Sequence, residues 1–134
     1  MPGYSGTPLP KKLGIKDGQH VFFVDAPADV HAELNSALQG CSRASKEDAD
    51  LDFVMLFTKS KAALSKEFQR LARKLSPAGM LWVSWPKKTS GVSTDLDENV
   101  VRGIGLAAGW VDVKVCAVTD VWSGLKFVRR LKDR

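Results

Sequence analysis

Residues 51–85 read LDFVMLFTKSKAALSKEFQRLARKLSPAGMLWVSW, and their pattern decides the fold. Leu51 to Phe57 is an almost continuous apolar run, the mark of a strand buried on both faces. Ser60 offers an N-cap, after which Leu64, Phe68, Leu71 and Leu75 recur at helical spacing. Lys66, Arg70, Arg73 and Lys74 take the other positions of that helix. Ser76-Pro77-Ala78-Gly79 ends the helix, and Met80 to Trp85 is another buried strand. Strand, helix and strand in this order predict a parallel pair with a right-handed crossover.

The same rhythm extends in both directions. Upstream, Val21 to Val24 is a buried strand bounded by Gly18 and Pro27. A helix follows from about Asp29, with Val30, Leu34 and Leu38 inward and Gly40 as its stop. Cys41 to Ser45 reads as a short, weak strand. Residues 1–10 read as an extended segment, with Pro8 opening a short helical turn that Gly14 ends. Downstream, Thr94 with Asp97 resembles a capping box for a helix carrying Leu96, Val100 and Ile104 and closed by Gly109. WVDVKVCAV (110–118) and VWSGLKFVRR (121–130) alternate as strands about Thr119-Asp120, forming a terminal hairpin. The expected fold is a single α/β domain over residues 1–134: a three-layer Rossmann-like sandwich, mostly parallel, with a C-terminal antiparallel hairpin.

At 134 residues, 44% hydrophobic and 26% charged, the chain can build a core without disulfides or metal. Cys41 and Cys116 match no metal or redox spacing and read as reduced thiols, and His20 and His31 are too few for a zinc site. Neither a signal peptide nor an apolar stretch of membrane-spanning length is present, so the expected location is cytoplasmic, with no membrane partner. A net charge of +5 and a pI near 9.4 favour acidic partners.

In open α/β sheets, ligands bind beyond the carboxyl ends of the strands, beside helix N-termini. Three loops leave strands for helices here: Asp25 to Asp29, Thr58 to Lys61, and Pro86 to Gly91. At one edge they gather Lys59, Lys61, Lys87 and Lys88 with the hydroxyls of Thr58, Ser60, Thr89 and Ser90. Pro86 ends its strand and Gly91 permits a turn. Asp25 and Asp29 are placed to pair with the lysines, and Trp85 to supply a flat wall. These residues predict a site for a small phosphate- or carboxylate-bearing ligand. They name no catalytic group and no cofactor, and solvated loop lysines are the simpler reading of any one of them.

Other features read as structure. Trp82, Trp110, Trp122 and Phe127 are core or hairpin residues, Cys116 an inert thiol, and Asp95, Asp97 and Glu98 a helix start. Gly103, Gly105 and Gly109 fall inside a helix pattern and so are no dinucleotide fingerprint. Nucleic-acid binding through Lys11, Lys12, the basic helix face and residues 129–134 is less favoured, because the charge is dispersed and stacking aromatics are missing. A homodimer through the hairpin edge is a further alternative.

The stretches GYSGTPLPKKLGIK (3–16), LWVSWPKKTSGVSTDL (81–96) and VKVCAVTDVWSGLKFVRR (113–130) resemble a bacterial family of short proteins of unknown function. The order of elements, with LGIKDGQHVFFVDAP (13–27) early and LARKLSPAGMLWVSW (71–85) late, is similar to Rossmann-like S-adenosylmethionine-dependent methyltransferases. Those enzymes also close with a helix, AGW-like residues and an antiparallel hairpin. The resemblance implies a reduced relative, shorter by a strand–helix unit. Asp25-Ala26-Pro27-Ala28 stands where such enzymes place a glycine-rich turn. Arg43 and Lys46 lie near where they carry an acid for the ribose hydroxyls.

Overall fold

The computed structural model describes residues 6–45 and 48–134. Along the chain run α1 (Leu9–Leu13), β1 (His20–Val24), α2 (Ala28–Leu38), β2 (Ser42–Arg43), β3 (Leu51–Phe57), α3 (Lys61–Ala72), β4 (Leu75–Pro86), α4 (Glu98–Ala107), β5 (Trp110–Ala117) and β6 (Trp122–Arg129). They form a six-stranded sheet ordered β2-β1-β3-β4-β6-β5. The first four strands in that order are mutually parallel, and β6 runs antiparallel to both β4 and β5.

Alternate side chains of the buried strands feed two cores, which explains why both strands read as unbroken apolar runs. Val54 and Leu56 of β3, with Leu81, Val83 and Trp85 of β4, pack beneath Leu64, Phe68 and Leu71 of α3 and Val101 of α4. Phe53, Met55 and Phe57, with Trp82, face Leu9 and Leu13 of α1 and Val30, Leu34 and Leu38 of α2. Each such side chain stabilises by about 1.5–3 kcal/mol when withdrawn from water. The three layers are therefore those the periodicity predicts.

Several boundaries differ. Ser76 to Gly79 does not separate α3 from β4, because β4 already begins at Leu75. Leu75 pairs with Leu51 and Met80 with Phe53, so these four residues bulge out of the ladder. Arg129 Nη2 holds the bulged start by donating to the Leu75 carbonyl at 2.9 Å. Thr94 is not the cap of α4; Asp97 is, its carboxylate accepting from Val100 N at 2.8 Å. Thr94 Oγ1 instead donates to the Lys59 carbonyl at 2.6 Å. At the N-terminus α1 is the short turn expected between Pro8 and Gly14, so Leu9 and Pro10 are helical and not part of an extended segment; residues 1–5 lie outside the described residues.

The hairpin carries a feature the alternation could not show. Asp112 pairs with Phe127 and Lys114 with Lys126, leaving Val113 as an extra residue in β5. Asp112 consequently turns toward α4, where it meets Arg102 Nε at 2.9 Å. Lys114 faces the opposite side of the sheet, with a carbonyl of α1. Among the described residues no helix is long and apolar enough to cross a membrane.

Candidate functional site

A cavity of about 460 Å³ opens at the carboxyl end of the parallel strands, lined by Asp25, Phe57, Thr58, Lys59, Ser60, Ala63 and Trp122. Its position follows from topology. From β1 the chain passes to β2 on one side, and the next strand, β3, pairs on the other. The crevice where strand order reverses is where α/β sheets take ligands.

Each wall has a local cause. Phe57 ends β3 and meets Trp122, the first residue of β6, edge to face at 5.2 Å between ring centroids. Thr58 N donates to the Ser84 carbonyl at 3.0 Å, which carries the β3–β4 pairing one residue further and fixes the turn into Lys59. Ser60 caps α3, its Oγ accepting from Ala63 N at 3.2 Å. Asp25 follows β1 with φ of 58°, a left-handed conformation that a residue with a Cβ seldom takes. Lys59 and Asp25 are both exposed at the mouth.

The remaining predicted residues are distributed otherwise. Lys87 is half-buried and its N–H donates to the Val121 carbonyl at 2.8 Å, pinning the loop to the hairpin. Lys88 points outward, its side chain 80% exposed and 3.9 Å from Asp97. Thr89 is exposed in the same 3-10 turn. Ser90 Oγ donates to the Lys87 carbonyl at 2.6 Å, and Gly91, at φ of 78°, closes the turn. None of these five lines the cavity. Trp85 is not a wall either: at 4% exposure it belongs to the core under α3 and α4. The aromatic wall is Trp122, which alternation alone assigns to hairpin packing. Among the described residues, neither Asp25 nor Asp29 forms an ion pair with a lysine.

The chain's own carboxylates sit on the helix N-termini at this edge. Asp95 accepts from Lys61 N at 2.7 Å, Asp97 from Val100 N, and Asp29 from Val30 N at 3.0 Å. The positive ends of α2, α3 and α4 are thereby partly satisfied internally. The positive charge left for a ligand in this cavity is that of Lys59, which shares the lining with the Asp25 carboxylate.

Sheet order, layers and cavity place together define a Rossmann-like fold of the methyltransferase type. No protein-family model matches the chain, and no curated protein does. Solved structures match along most of its length. A SAM-dependent methyltransferase from Aquifex aeolicus is 17% identical with a TM-score of 0.60, covering 87% of this chain and 85% of its own. A precorrin methyltransferase from Geobacter metallireducens is 9% identical with a TM-score of 0.60, over 91% and 86%. A magnesium protoporphyrin IX methyltransferase from Synechocystis, with bound SAM, is 12% identical with a TM-score of 0.59, over 91% and 74%. At these identities the likeness is one of fold.

Two positions of this chain depart from what the resemblance to such enzymes implies for holding their cofactor. Where close approach needs a turn without side chains, Asp25 lines the cavity and Pro27 precedes the first turn of α2, its carbonyl accepting from both Val30 N and His31 N at 3.1 Å. Where an acid would receive ribose hydroxyls, Arg43 ends β2 with its guanidinium 5.9 Å from the Phe23 ring centroid. Lys46 lies outside the described residues.

Proposed function

We propose that this protein binds a small phosphate- or carboxylate-bearing molecule in the cavity between β1 and β3. One observation carries the reading: at the reversal of strand order, Lys59 and the hydroxyl residues Thr58 and Ser60 share a cavity with Asp25 and an aromatic wall. Lys59 would meet the anionic group, Asp25 would accept from a hydroxyl or amine, and Phe57 and Trp122 would flank the apolar body. A volume of about 460 Å³ suits a metabolite-sized ligand.

A second reading, a divergent SAM-dependent methyltransferase, is favoured by the fold likeness and opposed by Asp25, Pro27 and Arg43. Thermal melting separates the two. Inorganic phosphate, citrate, a sugar phosphate and SAM are each added to the wild type and to Lys59→Ala. A ligand at 100 times its Kd stabilises by about 2.7 kcal/mol. An anion-dependent rise in Tm lost in Lys59→Ala supports the proposal. A rise with SAM alone that survives the substitution supports the second reading.

A further inference from the structure

The sheet face carrying α1 continues past that helix onto β6 and β5, and one row of residues that it presents there is cationic. Trp82 marks the border, its indole Nε1 donating to the Leu13 carbonyl at 2.9 Å. Next to Trp82 in the same row come Lys126 and then Lys114, paired directly across the β5–β6 ladder. Like charges so opposed are unfavourable. Burial, with the ammonium groups of Lys114 and Lys16, pushes the Lys126 amine below the ordinary lysine range. From α1, Lys12 reaches in at 8% exposure and donates to the Ala117 carbonyl at 3.1 Å, while Lys114 Nζ donates to the Lys12 carbonyl at 2.7 Å. A groove of about 440 Å³ between α1 and β5 is lined by Lys11, Lys12 and Lys114 beside Cys116. Among the described residues, none of Lys11, Lys16, Lys114 and Lys126 has a carboxylate partner in an ion pair.

The ammonium groups of Lys16, Lys114 and Lys126 repel one another, and a multivalent anion relieves that repulsion at several points at once. Lysine presents a compact charge rather than a planar fork, which suits phosphate oxygens approached from several directions. The groove has the volume of a small-molecule site. The large apolar side chains exposed among the described residues are Leu106, Val113, Val115 and Leu131. None is an aromatic platform on which single-stranded bases stack.

We propose that this groove is a second site, taking a small polyanion with two or more phosphate groups held by Lys11 of α1 and Lys114 of the hairpin, with Lys126 and Lys16 adding positive charge beside it. It shares no lining residue with the cavity at the strand ends, so either site can fail without the other.

The probe is inorganic tripolyphosphate, titrated calorimetrically into the full chain at constant ionic strength. Wild type should bind one equivalent. Lys114→Gln/Lys126→Gln should bind at least about tenfold more weakly, a loss of about 1.4 kcal/mol. Lys11→Gln/Lys16→Gln, at two exposed positions, should do the same and decides the matter if the first variant does not fold. Lys59→Ala should bind as wild type does. Absence of binding to wild type overturns the proposal, as do unchanged affinity in Lys11→Gln/Lys16→Gln or a matching loss in Lys59→Ala. Displacement of tripolyphosphate by a tighter-binding single-stranded oligonucleotide also overturns it, in favour of a nucleic-acid surface.

Discussion

The backbone N–H of Lys61 donates to the Asp95 carboxylate at 2.7 Å, so the loop after β4 seats an anion on the first turn of α3. Together with the Thr94 hydroxyl on the Lys59 carbonyl, it ties the loop after β4 to the wall that Lys59 and Ser60 give the cavity. Asp95→Ala removes a charge-assisted hydrogen bond at a helix N-terminus and should destabilise by about 1–2 kcal/mol in urea unfolding. The same variant frees a positive helix end beside Lys59 and should bind inorganic phosphate more tightly than wild type. Unchanged phosphate affinity would detach Asp95 from the site.

Gly105 of α4 lies against Phe127, and a Cβ there would fall 2.1 Å from its Cε1. Phe127 is fully buried and packs edge to face on Phe68 at 5.1 Å, so it has little room to give. Alanine would gain about 1 kcal/mol in helix propensity, but overpacking costs about 1–3 kcal/mol. Gly105→Ala should therefore lower stability on balance, read as a smaller urea midpoint with unchanged slope.

Trp82 ties α1 to the sheet through its indole N–H on the Leu13 carbonyl. Trp82→Phe keeps an aromatic ring yet leaves that carbonyl unpartnered in the interior, at a cost of about 1–3 kcal/mol. Faster amide hydrogen exchange should appear first in Leu9–Leu13. Equal acceleration throughout the sheet would mean that α1 is not separately anchored.

Lys126 has a depressed pKa in the folded state, caused first by burial and then by Lys114 and Lys16. The unfolded chain therefore holds the extra proton between the folded value and about 10.4, the ordinary one. Stability should rise with pH through that alkaline interval, and below it the cost of charging the amine is fully present. Lys126→Gln should melt higher than wild type at neutral pH, by roughly 1–3 °C because solvent screens the group. The difference should shrink as pH approaches the ordinary lysine value. Burial raises the Cys116 thiol and acts with the opposite sign, but it is common to both proteins and cancels in the comparison.

How much the residues announce depends on whether local chemistry or tertiary pairing fixes a feature. The span of β3 and the Ser60 cap are legible because burial on two faces and helix capping leave local signatures. The early start of β4 is not: Ser76 to Gly79 looks like a loop, and only pairing of Leu75 with Leu51 shows it as a bulge. The edge that gathers Asp25 and Lys59 follows from strand order, whereas the outward course of Lys87 to Gly91 depends on where the loop is pinned. Trp122 enters the wall because of the β4–β6 register, and Lys114 meets Lys126 because of the extra residue Val113. Alternation carries no trace of that insertion.

The most direct measurement of the strand-end site is an NMR titration of isotopically labelled protein with inorganic phosphate. The predicted result is saturable shifts in the amides of Thr58 to Ala63 and in the Trp122 indole N–H, absent in Lys59→Ala. Shifts confined to Lys87–Gly91 or to the hairpin lysines, or no saturable shift at all, would contradict a ligand site between β1 and β3.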